Sequence, residues 1–100
     1  MVMISIEIQD ERGRQLQPFD DADILASVLS DGAQGTSCLR FIDPYGNTVF
    51  NQLQIPLLTA ELRAKAAALP GELRTRTQRL ADFIAAAANR PHVYIKFIGD

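Results

Sequence analysis

Val2, Ile4, Ile6 and Ile8 alternate with Met3, Ser5, Glu7 and Gln9, the period-two signature of a half-buried strand. Residues 10–14, with Gly13, then read as a polar turn. Over residues 20–30 the period changes: Ile24, Leu25, Val28 and Leu29 fall on one helical face behind the capping acids Asp20, Asp21 and Asp23. Residues 31–37 form a loop. Two short apolar runs, 38–42 and 48–54, flank the turn-forming Asp43-Pro44-Tyr45-Gly46-Asn47, which predicts an antiparallel hairpin. In its second strand Val49, Asn51, Leu53 and Ile55 would share one face and Phe50, Gln52 and Gln54 the other. Pro56 suits the first turn of a helix whose apolar face runs through Leu57, Leu58, Leu62, Ala66 and Leu69 until Pro70-Gly71 breaks it. Residues 72–89 carry the longest helical pattern, with Leu73, Thr77, Leu80, Phe83, Ile84 and Ala87 at spacings of three and four. Val93, Ile95 and Phe97 alternate with Tyr94, Lys96 and Ile98, apolar on much of both faces, which predicts an internal strand.

These elements predict one α+β domain over residues 1–100, in the order β-α-β-β-α-α-β. The 38–42 and 48–54 hairpin would join the two terminal strands in one four-stranded sheet with helices on one face. A composition of 47% hydrophobic and 22% charged residues is that of a globular domain, which needs no metal or disulfide to fold. The single Cys38 fits a reducing compartment. No basic leader and no apolar run near the ~20 residues of a membrane span is present, so a cytoplasmic protein is expected.

Charge divides the chain. Residues 1–50 carry eight acids against three arginines, a net −5; residues 51–100 carry four acids against seven basic residues, a net +3. Internal complementarity, with basic helices lying against an acidic rim, is the favoured explanation over a nucleic-acid surface.

Candidate chemistry is sparse. There is no phosphate-binding glycine loop, nucleophile elbow, histidine pair or cysteine cluster, so neither catalytic residues nor a metal site is assigned and no cofactor is expected. Asp20, Asp21 and Asp23 lack the glycine and distal glutamate of a calcium loop. Cys38 has no basic neighbour to activate it and reads as a small core residue. His92 would need a carboxylate such as Asp43 or Asp100 to act as a base. The amides Asn51, Gln52 and Gln54 exceed what a plain strand requires. They could hold a ligand, or they could satisfy loop backbone and the open end of a helix.

The block from Cys38 to Gln54 and the ending His92-Val-Tyr-Ile-Lys-Phe-Ile-Gly-Asp100, together covering roughly residues 38–100 with the two helices, resemble a group of small uncharacterised bacterial single-domain proteins. The resemblance implies a bacterial, cytoplasmic domain and brings with it no activity and no site residues.

The expected function is that of a small binding or interaction module, immunity-like or a regulatory accessory protein, that docks another protein through the 43–54 rim. Asp43, Tyr45, Asn47, Asn51, Gln52, His92 and Asp100 are its candidate binding residues. The turn is expected to lie beside Asp100 or His92, Gly99 letting the chain bend there. An enzyme or small-ligand site around Asp43, Tyr45, Asn51, His92 and Asp100 is the alternative. Weak nucleic-acid binding through Arg63, Lys65, Arg74, Arg76 and Arg79 comes third, and no membrane partner is expected.

Overall fold

The fold was obtained as a computed structural model, which describes residues 4–30 and 33–99. Val2, Met3 and Asp100, named above, and residues 31 and 32 of the expected loop lie outside the described residues. Four antiparallel strands, β1 (Ser5–Asp10), β2 (Gln15–Pro18), β3 (Asn47–Phe50) and β4 (Val93–Ile98), form one sheet in the order β2-β1-β4-β3. A 3-10 turn at Ala22–Ile24 runs into the short α1 (Leu25–Val28), and two long helices follow, α2 (Ile55–Ala68) and α3 (Gly71–Ala87). The α+β class and the single four-stranded sheet agree with the sequence pattern.

Alternation decides which face of the sheet is covered. Ile6 and Ile8 of β1, Phe50 of β3, and Val93, Ile95 and Phe97 of β4 are buried against Leu58, Leu62, Leu80 and Ile84 of the helices, with Ile24, Leu25 and Val28 closing one side. Phe50 and Phe97 meet edge to face with ring centroids 5.7 Å apart. The last strand is internal, as its two-sided apolar character requires, because it pairs with β1 and β3 at once.

Two local expectations are corrected. Residues 38–42 are not a strand: they hold a single 3-10 turn, Leu39–Phe41, so no 38–42/48–54 hairpin exists and β3 pairs with β4 alone. The cause is Glu61 on α2. Its carboxylate accepts the backbone N–H groups of Ser37 at 2.6 Å and of Cys38 and Leu39 at 3.0 Å, the donors a neighbouring strand would have used. Cys38, Leu39 and Ile42 still reach the core, so their apolar character is satisfied without a sheet.

The second strand is instead β2, which hairpins with β1 through the 10–14 turn. Asp10 Oδ1 accepts the N–H groups of Arg12 and Arg14 at 2.9 and 2.8 Å, and Gly13 takes φ +82°. Every residue of β2 is exposed, so no alternation marks it. The strand expected over 48–54 ends at Phe50, where a turn leads into α2.

Anchoring by Glu61 predicts a large effect from a half-exposed residue. Glu61→Ala should lower unfolding free energy by about 2–3 kcal/mol in urea titrations, given the usual worth of hydrogen bonds to a charged acceptor. Glu61→Gln, keeping one acceptor oxygen, should lose about half of that. A change below about 0.5 kcal/mol for Glu61→Ala, the range of an ordinary surface substitution, would show that the 37–39 segment is held by something else.

Candidate functional site

β4 connects the two places where the candidate residues lie. At its end, the Gly99 N–H donates to Gly46 O at 2.6 Å, which seats the 43–46 turn directly on the chain before Asp100. A Cβ on Gly99 would fall 2.5 Å from Gly46 O and 2.6 Å from Asp43 O, so glycine is required by the close approach of backbone. The turn is held from within. Asp43 Oδ1 accepts the Tyr45 N–H at 2.9 Å, the Asp43 N–H donates to Thr48 Oγ1 at 2.9 Å, and that hydroxyl donates to Phe41 O at 3.4 Å. Tyr45 is left 72% exposed, and Asn47, paired with Ile98, is exposed at the start of β3.

His92 precedes the other end of β4. It sits exposed in the left-handed region at φ +57°, with Nδ1 3.5 Å from Glu11 Oε2. Its carboxylate neighbour is therefore Glu11, brought there because Asp10 pairs with Val93, and not Asp43. Together with Asn51, Gln52 and Leu53, it lines an open depression of about 460 Å³.

The candidate set is thus split into Asp43, Tyr45 and Asn47 at one end of β4 and Asn51, Gln52 and His92 at the other. Six strand residues, about 20 Å, lie between. The depression that Asn51 and His92 share is not lined by Asp43 or Tyr45, and Asp100 is outside the described residues.

The amides have structural partners. Gln52 Nε2 donates to the carbonyls of Ala88 at 2.7 Å and Ala87 at 3.3 Å, closing the C-terminal end of α3. Asn51 Oδ1 accepts the N–H groups of Leu53 and Gln54, while Gln54 Oε1 accepts the Asn51 N–H at 2.9 Å. This reciprocal pair is a capping box, and its Asn-x-x-Gln spacing ahead of an apolar run was the sequence signal for it. Nor do Phe50, Gln52 and Gln54 form an exposed patch: Phe50 is buried under the helices and Val49 is the outward residue of β3.

The basic helices are matched internally. Arg76 holds Asp21 through two hydrogen bonds of 2.8 and 2.7 Å, Arg79 reaches Asp20 at 3.1 Å, Arg63 pairs with Asp82, and Arg74 donates to the carbonyls of Leu69 and Ala67. The opposite charges of the two halves therefore meet within the fold along the start of the first helix.

Cys38 is buried, and that burial, reinforced by the Glu61 carboxylate, pushes its thiol above the ordinary range, so it is no nucleophile at neutral pH. Among the described residues no cluster of His, Cys, Asp or Glu is placed to hold a metal ion, and no helix is long and apolar enough to cross a membrane.

Phe41, Val49, Leu53 and Leu57, which the sequence did not single out, are exposed like the candidate Tyr45, by 46–89%; among the described residues the one other exposed large apolar side chain is Leu16. The four-residue spacing from Phe41 to Leu57 was visible, but it crosses a turn, a strand and a helix start and so matches no single period. No family model matches this chain, and no curated protein or solved structure is similar to it.

The Asp21–Arg76 pair yields a pH prediction. Hydrogen bonds from Arg76, with the charges of Arg76 and Arg79 behind them and against the opposing effect of burial, hold the Asp21 carboxyl below its ordinary 3.8. A depressed carboxyl stabilises the fold above the unfolded value, and that contribution disappears as pH falls through the folded one. Asp21→Asn should destabilise by about 1 kcal/mol at pH 7. The difference from the parent protein should shrink as pH falls below 3.8 and through the lower folded value. A difference that stays constant across an acid titration of urea midpoints would refute the assignment.

Proposed function

We propose that this domain is a recognition module that binds an extended segment of another protein along the free edge of β3. The supporting observation is a β3 edge without charge, proline or bulge, flanked in sequence by the exposed apolar side chains Phe41, Tyr45, Leu53 and Leu57. Gly46 and Gly99 form a hydrogen-bonded pair, so alternation makes Thr48–Phe97 and Phe50–Ile95 the next ones. The N–H and C=O groups of Asn47 and Val49 therefore point away from β4, and among the described residues nothing bonds them.

The two edges of the sheet differ. β2 ends in Pro18 and faces a bulge between Ile8 and Gln9, both devices that discourage further pairing. β3 reads Asn-Thr-Val-Phe, without charge, proline or bulge. Tyr45 and Phe41 flank its beginning, and Leu53 and Leu57 follow its end. A strand added there would gain main-chain hydrogen bonds from Asn47 and Val49, and apolar contacts on alternate side chains from the flanking residues. An immunity-like or accessory role in a bacterial cytoplasm is the setting that suits such a module. The enzyme alternative has no equivalent support, since its proposed residues occupy opposite ends of β4, and the arginines of the nucleic-acid alternative are largely engaged.

Selection from a library of extended peptides should enrich sequences with alternating apolar residues. Those peptides should slow hydrogen exchange at the Asn47 and Val49 amides. Val49→Lys, which places a charge on the edge, should weaken peptide binding at least tenfold while changing stability by less than about 0.5 kcal/mol, as expected at an exposed site. Binding that survives Val49→Lys, or protection appearing elsewhere, would refute the reading. A concentration-dependent dimer lost in Val49→Lys would assign the edge to a second copy of this chain instead.

A further inference from the structure

The chain has eight arginines. Five are engaged: Arg63, Arg74, Arg76 and Arg79 as described, and Arg40 over the Phe41 ring at 4.7 Å. The other three, Arg12, Arg14 and Arg90, make no ion pair, side-chain hydrogen bond or ring contact with any described residue. All three line one open depression of about 530 Å³, together with His92. Arg12 and Arg14 act on Asp10 through their charges and donate their backbone N–H groups to it, without forming an ion pair. Three arginines around one hollow, in a chain that engages every other arginine, are not accounted for by folding.

The convergence follows from the topology. The β1–β2 turn and the turn before β4 are adjacent because Asp10 pairs with Val93, and each turn contains a left-handed residue, Gly13 and His92. Histidine is among the residues that tolerate that conformation, and its ring stands beside Glu11 of the 10–14 turn. Two carboxylates share the hollow. Asp10 Oδ1 is committed to the N–H groups of Arg12 and Arg14, and Glu11 stands near His92. Three guanidiniums against these two acids leave the hollow cationic. Leu16 and Val93 give it an apolar floor.

We propose that this hollow binds the phosphate group of a small phosphomonoester, with Arg14 and Arg90 as the principal ligands, Arg12 and His92 assisting, and the apolar part of the ligand on Leu16 and Val93. Guanidinium forks suit a multi-oxygen anion better than any other side chain, and here they approach from two separate turns. The site's arginines come from the β1–β2 turn and the turn before β4, while His92 also borders the neighbouring depression lined by Leu53.

Phenyl phosphate is the probe, titrated into the whole protein while backbone amide resonances are followed at constant ionic strength. Saturable shifts are expected at Gly13, Arg14, His92 and Val93, with a dissociation constant in the millimolar range or tighter. Arg14→Gln and Arg90→Gln should each weaken binding at least fivefold, and Glu11→Gln should tighten it at least twofold. Arg63→Gln, on the far helical surface, should leave it unchanged. Inorganic phosphate binding more than threefold more weakly would support the role of the apolar floor, and equal binding would overturn that part. Shifts that stay linear, that sodium sulfate reproduces, or that Arg63→Gln reduces as much as Arg90→Gln would overturn the site. So would saturable binding of a single-stranded oligonucleotide with no binding of phenyl phosphate. Thermal melts of the variants, all at exposed positions, separate lost binding from lost folding.

Discussion

Insertion of β4 between β1 and β3 is the constraint on which the rest of this structure depends. The last strand to emerge must pair on both sides at once, with partners from the beginning and the middle of the chain. Its inward residues Val93, Ile95 and Phe97 supply the centre of the core, and its two ends set the surroundings of both candidate surfaces. Pairings this distant in sequence carry a loop-closure penalty before they return any burial. The backbone contact of Gly99 with Gly46 completes that insertion, and there a side chain of any size would meet two carbonyl oxygens.

Many of the polar residues that attract notice in this sequence maintain the fold. Gln52 closes the end of α3, Asn51 and Gln54 prepare the start of α2, Asp43 shapes its own turn, and Asp21 fixes α3 against the first helix. A small domain has little interior to spare, so orphan backbone groups at its helix ends are met by side chains. With these duties assigned, two features remain without a structural purpose: the apolar, uncharged β3 edge and the unpaired arginines beside His92. They border one another at the turn before β4, where His92 lines both depressions, and one suits a protein partner while the other suits a small anion.

Periodicity alone was enough for β1, α2, α3 and β4, because each buries one face and that requirement writes a period of two or of 3.6 into the residues. The same reasoning made β4 internal, and the opposite charges of the two halves foretold the contact between Asp20, Asp21 and the α3 arginines. The place of the 43–46 turn beside Gly99 was legible, but its reason was not: the pattern suggested a bend, whereas the structure requires glycine for the close approach of backbone. Residues 38–42 were not legible as a 3-10 turn. What decides them is a carboxylate 22 to 24 residues later, and local propensity contains no information about such a donor–acceptor match. β2 was invisible because a fully exposed edge strand has no face to bury. The division of the candidate residues between the two ends of β4 was likewise a tertiary matter: strand pairing determines which turns become neighbours, and pairing depends on where the last strand inserts.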